Sequence, residues 1–336
     1  MIEDQSRRID VEGGRVPYPI EGHEGGQAVV QPLRERYRKV ALFVGLTYLV
    51  SYLLVFLYSA LVGSWTMPNA VVLGVAYMFI PATVVLIVQK GIFQEPLKGP
   101  LRITLRPNRW FLAAWLLPPL IACASLGVAL LLPGVRFSPE MEGMVERFGK
   151  LLTPDQIEQM RNQARAMPIH PFWIPLGLGL IAGGTVNAVA AFGEELGWRG
   201  LLLRELEPLG FWRCSALIGL IWGFWHAPLI LHGHNYPEHP WAGVFLMTAM
   251  TVLLSPMLGY LTIRANSVLA AAIFHGTFNA TAGLAIVVIR GGNDLTTGVT
   301  GLAGLTVLAV MNCGLFAFDR WVMGEPIGRN RSTSLS

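Results

Sequence analysis

Eight stretches of mostly apolar residues limit what this chain can fold into: 40–62, 70–88, 110–132, 172–192, 211–231, 242–263, 268–289 and 298–318. Crossing a hydrocarbon core of about 30 Å takes roughly 20 apolar residues as a helix, and each stretch is about that long. Backbone amides in lipid find no water, so a run of this kind satisfies them internally, as a helix. The expected fold is all-α, a polytopic transmembrane helix bundle of about eight spans. Composition agrees, because hydrophobic residues make up 53% of the 336 and charged residues only 14%, against about 25% charged in ordinary soluble domains.

Charge placement orients the bundle. Arg34, Arg36, Arg38 and Lys39 precede the first span, and Lys90, Lys98, Arg102, Arg106 and Arg109 separate the second from the third. Arg204 and Arg213, then Arg264, then Arg320, Arg329 and Arg331 keep the same parity, while loops 63–69 and 233–241 carry no Lys or Arg. The positive-inside rule then puts both termini in the cytoplasm. The net charge of +4 is accounted for by anionic lipid beside these loops rather than by nucleic acid. The expected location is an integral, multi-pass one, in the plasma membrane if the chain is bacterial.

Residues 1–39 read as a mobile cytoplasmic tail, with no removable signal peptide, so that the first span serves as its own targeting signal. Residues 40–320 form one membrane domain with a motif-bearing core at about 172–290, and 321–336 a second cytoplasmic tail. The connection 136–170 mixes acids and bases and reads as an external amphipathic cap; the run TPDQIEQMRNQARAM from Thr153 begins with helix-start signals. Cys123, Cys214 and Cys313 have neither paired nor metal-type spacing, which argues against disulfides and a cysteine zinc site.

Ionisable residues are costly inside a bilayer, so those within spans are functional candidates. The fourth stretch runs into AAFGEELGWRGLL, where Glu195 and Arg199 share a helix face four residues apart. Glu194, about 100° round the helix, lacks that partner and is the freer carboxylate. The fifth stretch carries His226 in IWGFWHAPL, and the seventh His275 and Asn279 in IFHGTFNA. At ~1.5 Å per residue from the cytoplasmic ends, Glu194 lies ~15 Å deep, His226 ~20 Å and His275 ~14 Å, all near the midplane. A buried carboxylate beside an imidazole can activate water. Side-chain donors from His275 and Asn279 can hold the oxygen of a tetrahedral intermediate. These are the parts of a peptide-bond hydrolase without a Ser or Cys nucleophile.

In this order on successive membrane helices, EExxxR (Glu194, Glu195, Arg199), aromatic-xxx-His (Trp222, His226) and HxxxN (His275, Asn279) resemble the CAAX prenyl protease 2 family. Its bacterial branch is called CPBP, for CAAX protease and bacteriocin processing. Many members have Phe where this chain has Trp222. The resemblance implies that 40–320 is a transmembrane protease domain, an endopeptidase in which Glu194 and His226 activate water and His275 and Asn279 stabilise the oxyanion. It assigns Glu195 and Arg199 to ordering the site.

The family is often labelled metalloprotease. Two mechanisms stay open: a divalent metal such as zinc held by Glu194, His226 and His275, or a metal-free glutamate mechanism. His232, His234 and His239 also cluster, but on a turn with no HExxH helix. The expected partners are membrane lipid and a peptide or protein substrate at the bilayer, prenylated CAAX proteins being the family's best-known class. A transporter or a bacteriocin-immunity or regulatory scaffold is the alternative reading, since midplane carboxylates and histidines also build proton relays.

Overall fold

The structure, a computed structural model, describes residues 32–63, 65–140, 142–148 and 153–327. The rest of the expected tails, 1–31 and 328–336, lies outside the described residues. The described chain is α-helical apart from one two-residue pairing: α1 Leu33–Leu61, α2 Met67–Val85, α3 Arg109–Ala129, β1 Arg136–Phe137, α4 Glu142–Phe148, α5 Pro154–Ala166, α6 Trp173–Gly184, α7 Val186–Glu195, α8 Leu203–Glu205, α9 Phe211–Trp225, α10 Ala227–Leu231, α11 Pro240–Ala265, α12 Val268–Thr281, α13 Leu284–Val288, β2 Ile289–Arg290 and α14 Leu302–Trp321. The protein is an all-α polytopic membrane bundle.

Every apolar stretch is helical, yet the count differs from eight. Among the described residues six helices are long and apolar enough to cross a membrane, and α6 with α7–α8, bent by 51°, makes a seventh if the pair is one span. The fifth stretch falls short because α9 stops at Trp225 and a separate five-residue helix, α10, follows His226. Pro228 explains the break: it has no N–H to give the carbonyl of Phe224, four residues back. Helix α1 also starts earlier than read, at Leu33, so residues 33–39 of the expected tail are helical.

Lys39, fully buried, anchors this early start by lying 2.5 Å from Glu95 and 3.2 Å from Glu205. Arg204 reaches Glu95 at 2.8 Å, and the cluster ties the expected cytoplasmic ends of α1, α2 and α8 together. At the other end of the bundle, α4 and α5 lie in the expected cap. Thr153 and Gln156 form a reciprocal capping box at the start of α5. The β1–β2 pair joins that cap to the end of α13, a contact that local pattern did not announce.

Lipid-like surroundings give helices no hydrophobic reason to associate, so close packing carries more of the load. Gly219 and Gly223, four apart on α9, let it approach α11; a Cβ on either would lie 2.5 Å from the Cα of Val252 or Thr248. Gly276 of α12 does the same against α7, where a Cβ would sit 2.5 Å from the amide nitrogen of Ala188. These contacts bring the helices that carry the three motifs into one bundle.

Gly223→Val should therefore destabilise the fold by about 1–3 kcal/mol, the usual cost of overpacking, lowering the melting temperature of the protein in detergent. Gly45→Ala on α1, where an added Cβ meets nothing within 4 Å, should leave it unchanged or slightly raised. Equal melting temperatures for both variants would contradict the packing argument.

Candidate active site

Past Glu195 the helix widens into π-helical turns over Leu196–Leu202, every residue of which is buried. Such widenings recur at functional sites. Glu194 and Glu195 enter this segment with 2% and 0% exposure. They diverge as the helical offset requires. Glu195 accepts from Arg199 Nη1 at 3.1 Å and from His275 Nδ1 at 2.8 Å, so the expected pair is part of a buried triad spanning α7 and α12.

Glu194 has no cation among its hydrogen-bond partners. Its Oε2 accepts from the indole Nε1 of Trp222 at 2.7 Å, and more distantly from that of Trp198 at 3.4 Å. The Trp222 ring stands edge-on to His275 at 5.2 Å, and the Arg199 guanidinium lies over it at 4.5 Å.

His226 occupies the break between α9 and α10. Its Nδ1 lies 2.9 Å from the Trp222 carbonyl. Only an N–H can pair with that oxygen, so Nδ1 carries the proton and the neutral ring presents its lone pair at Nε2. The remaining open carbonyls of the break are satisfied from other helices. Tyr52 donates to the oxygen of Phe224 at 2.7 Å, which Pro228 leaves without a backbone donor. Tyr77 donates to the oxygen of Trp225 at 2.5 Å, since the Leu229 amide turns to His226 instead. Tyr48 bonds the Ile221 carbonyl at 2.6 Å, and the Trp225 indole bonds Ser51 at 2.7 Å. The first two helices thus hold the histidine-bearing turn.

The structure brings together Glu194, Glu195, Arg199 and His275, with His226 joined to them through Trp222. Asn279 is exposed, one turn beyond His275, and makes no side-chain hydrogen bond among the described residues. Sequence reasoning missed Trp198, although its place four residues after Glu194 follows the spacing that paired Glu195 with Arg199. It also missed Tyr52 and Tyr77, whose partners are backbone atoms of distant segments and leave no local signal.

A metal held by Glu194, His226 and His275 would need their ligand atoms to converge. Their ligand atoms do not all lie within 4.8 Å of one another; among the described residues one set does, Glu238, His239 and Asp294. Ligands sharing one zinc at about 2.0–2.1 Å lie no more than about 4 Å apart. The three site residues as arranged do not fit a shared ion. In the other set, Asp294 already accepts from the backbone amides of Glu238 and His239 and lies 2.6 Å from His239 Nδ1, the work of a loop tie.

Residues 176–281 match the family described as type II CAAX prenyl endopeptidase Rce1-like. The chain is also similar to the CAAX prenyl protease 2 of Methanococcus maripaludis, with 26% identity over 146 residues, 42% of this chain and 51% of that protein. It thus spans about half the length of the curated relative it matches. The resemblance carried by the three motifs is supported by both comparisons, which fall on the motif-bearing part of the chain: residues 176–281 are similar to the Rce1-like type II CAAX prenyl endopeptidases.

Proposed function

We propose that the protein is an intramembrane endopeptidase in which Glu194 is the general base, and the observation that carries this is the contrast between the two adjacent carboxylates. Glu195 is committed to Arg199 and His275, whereas Glu194 meets two neutral indole donors, both on Oε2. A carboxylate whose hydrogen-bond donors are all neutral is costly inside a bundle unless it is used. In the proposed reaction, Glu194 takes a proton from water while the water oxygen bonds to the scissile carbonyl carbon. The Nε2 lone pair of His226 orients that water. The C–N bond then breaks, and the proton held by Glu194 passes to the leaving amine.

Oxyanion stabilisation from His275 needs a donor at Nε2, and Glu195 at Nδ1 supplies the counter-charge such a ring requires. Asn279, exposed beside it, would join on substrate binding. Substrates are membrane-associated peptides or proteins, prenylated CAAX proteins among them by analogy with the relatives. Residues 40–320 form the protease domain and both termini face the cytoplasm. A plasma-membrane location follows for a bacterial chain.

Glu194→Gln should lower cleavage of a quenched fluorescent prenylated peptide by at least about 10²-fold, the usual contribution of a general base, with an unchanged melting temperature. Equal cleavage by both proteins would remove Glu194 from the mechanism. Arg199→Ala strands a buried carboxylate and should lose both activity and stability, the latter by about 3–5 kcal/mol, measured by thermal unfolding in detergent. For the metal question, chelation followed by elemental analysis should leave metal-free protein active; activity that vanishes with the metal and returns with zinc would favour the ion.

A further inference from the structure

Trp222 touches each of the principal site groups. Its Nε1–H donates to Glu194 Oε2 at 2.7 Å, and its carbonyl accepts from His226 Nδ1 at 2.9 Å. Its ring packs T-shaped against His275 and lies under Arg199. The residue is only 2% exposed, and Gly223 beside it is held against α11 by close packing, so the indole has little freedom. Both donors to Glu194 fall on Oε2, and among the described residues nothing donates to Oε1.

We propose that Trp222 is a positioning residue for the reaction, its N–H locking the Glu194 carboxylate through Oε2 so that Oε1 is the oxygen presented to water. Its carbonyl does the matching task for His226, fixing the tautomer that leaves Nε2 as the lone pair. One residue thereby orients both water-activating groups from opposite ends, side chain and main chain. Phenylalanine at this position would keep the ring contacts with His275 and Arg199 and lose the donor. A free carboxylate samples several rotamers, and a misplaced reacting group costs rate rather than binding. The inference rests on the protease reading, and its test separates the two.

The full-length protein, labelled with ¹⁵N at the tryptophan indoles and held in detergent, gives the first readout. Trp222→Phe identifies the Trp222 indole resonance by its disappearance, and Glu194→Ala should move that resonance upfield as the acceptor is lost. The second readout is kinetic, on the prenylated peptide. Trp222→Phe should lower kcat by about 10- to 100-fold, the worth of one hydrogen bond to a charged group, with KM within about twofold. Benzothienylalanine at the same position, which keeps the ring shape and replaces N–H by sulfur, should reproduce the loss. An unmoved resonance, or a benzothienylalanine protein as active as wild type, overturns the proposal. A rise in KM with a lower melting temperature also overturns it, in favour of a purely structural role. If neither wild type nor Glu194→Gln cleaves, the protease reading fails, and if both cleave alike Glu194 leaves the mechanism; positioning for hydrolysis fails in either case, while the resonance still reports whether the indole holds the carboxylate.

Discussion

A backbone carbonyl without a donor is expensive in hydrocarbon, and α9 ends inside the bundle with several of them. Trp222, Phe224 and Trp225 would each accept from the next helical turn, but Pro228 and the turn at His226 withdraw those donors. The replacements are His226 itself, Tyr52 and Tyr77. Much of the site depends on this exchange. The break frees the histidine side chain from a continuous helix, and the tyrosines keep the broken end from wandering. It also gives α1 and α2 a role that the family match, confined to residues 176–281, does not cover.

The second constraint is charge. Glu194 and Glu195 are neighbours in sequence, both buried, and differ in their hydrogen-bond partners, because a helix turns about 100° between them. One side faces α12 and Arg199, where a cation and an imidazole share a single carboxylate. The other faces Trp222 of α9 and Trp198 of the π-helical turns, whose indole N–H groups donate to it. Neutral donors hold a carboxylate in place without committing it to a fixed ion pair. Two chemically identical side chains are thereby given different hydrogen-bond partners, which is the basis for proposing one as an anchor and the other as the reactive group.

Much of this was legible in the sequence. Hydropathy located all the spanning helices, since lipid permits few alternatives to a helix over an apolar run of that length. The four-residue spacing gave the Glu195–Arg199 pair, and similar depth predicted that Glu194, His226 and His275 would lie in one site. Apolarity alone, however, cannot see a helix break: 211–231 reads as one span because Pro228 is apolar enough to pass, although its missing N–H ends α9 three residues earlier. Nor can it see side chains bonded to remote carbonyls, as Tyr48, Tyr52 and Tyr77 are. The β1–β2 pairing of Arg136–Phe137 with Ile289–Arg290 was hidden for the same reason, being long-range and only two residues deep. Asn279 was placed by spacing on the face of His275, yet it lies exposed, because that face of α12 leaves the packed interior within one turn.

These restraints bear on how the site handles water. For Glu194, His226 and His275 to close on one ion, the helices that carry them would have to shift relative to one another. The end of α9 is held at three carbonyls and at the Trp225 indole, while Gly219 and Gly223 fix the helix against α11. Helices α7 and α12 are equally constrained where Gly276 meets the backbone of Ala188. A shift of an ångström or more would cost several of these contacts together, and in lipid none is replaced by water. Glu194 Oε2, moreover, already accepts from two indoles and would have to release them to bind a metal through that oxygen. The packing as it stands fits the proposed glutamate that works on water directly better than a shared ion, because the helices that bear Glu194, His226 and His275 are each fixed against a neighbour.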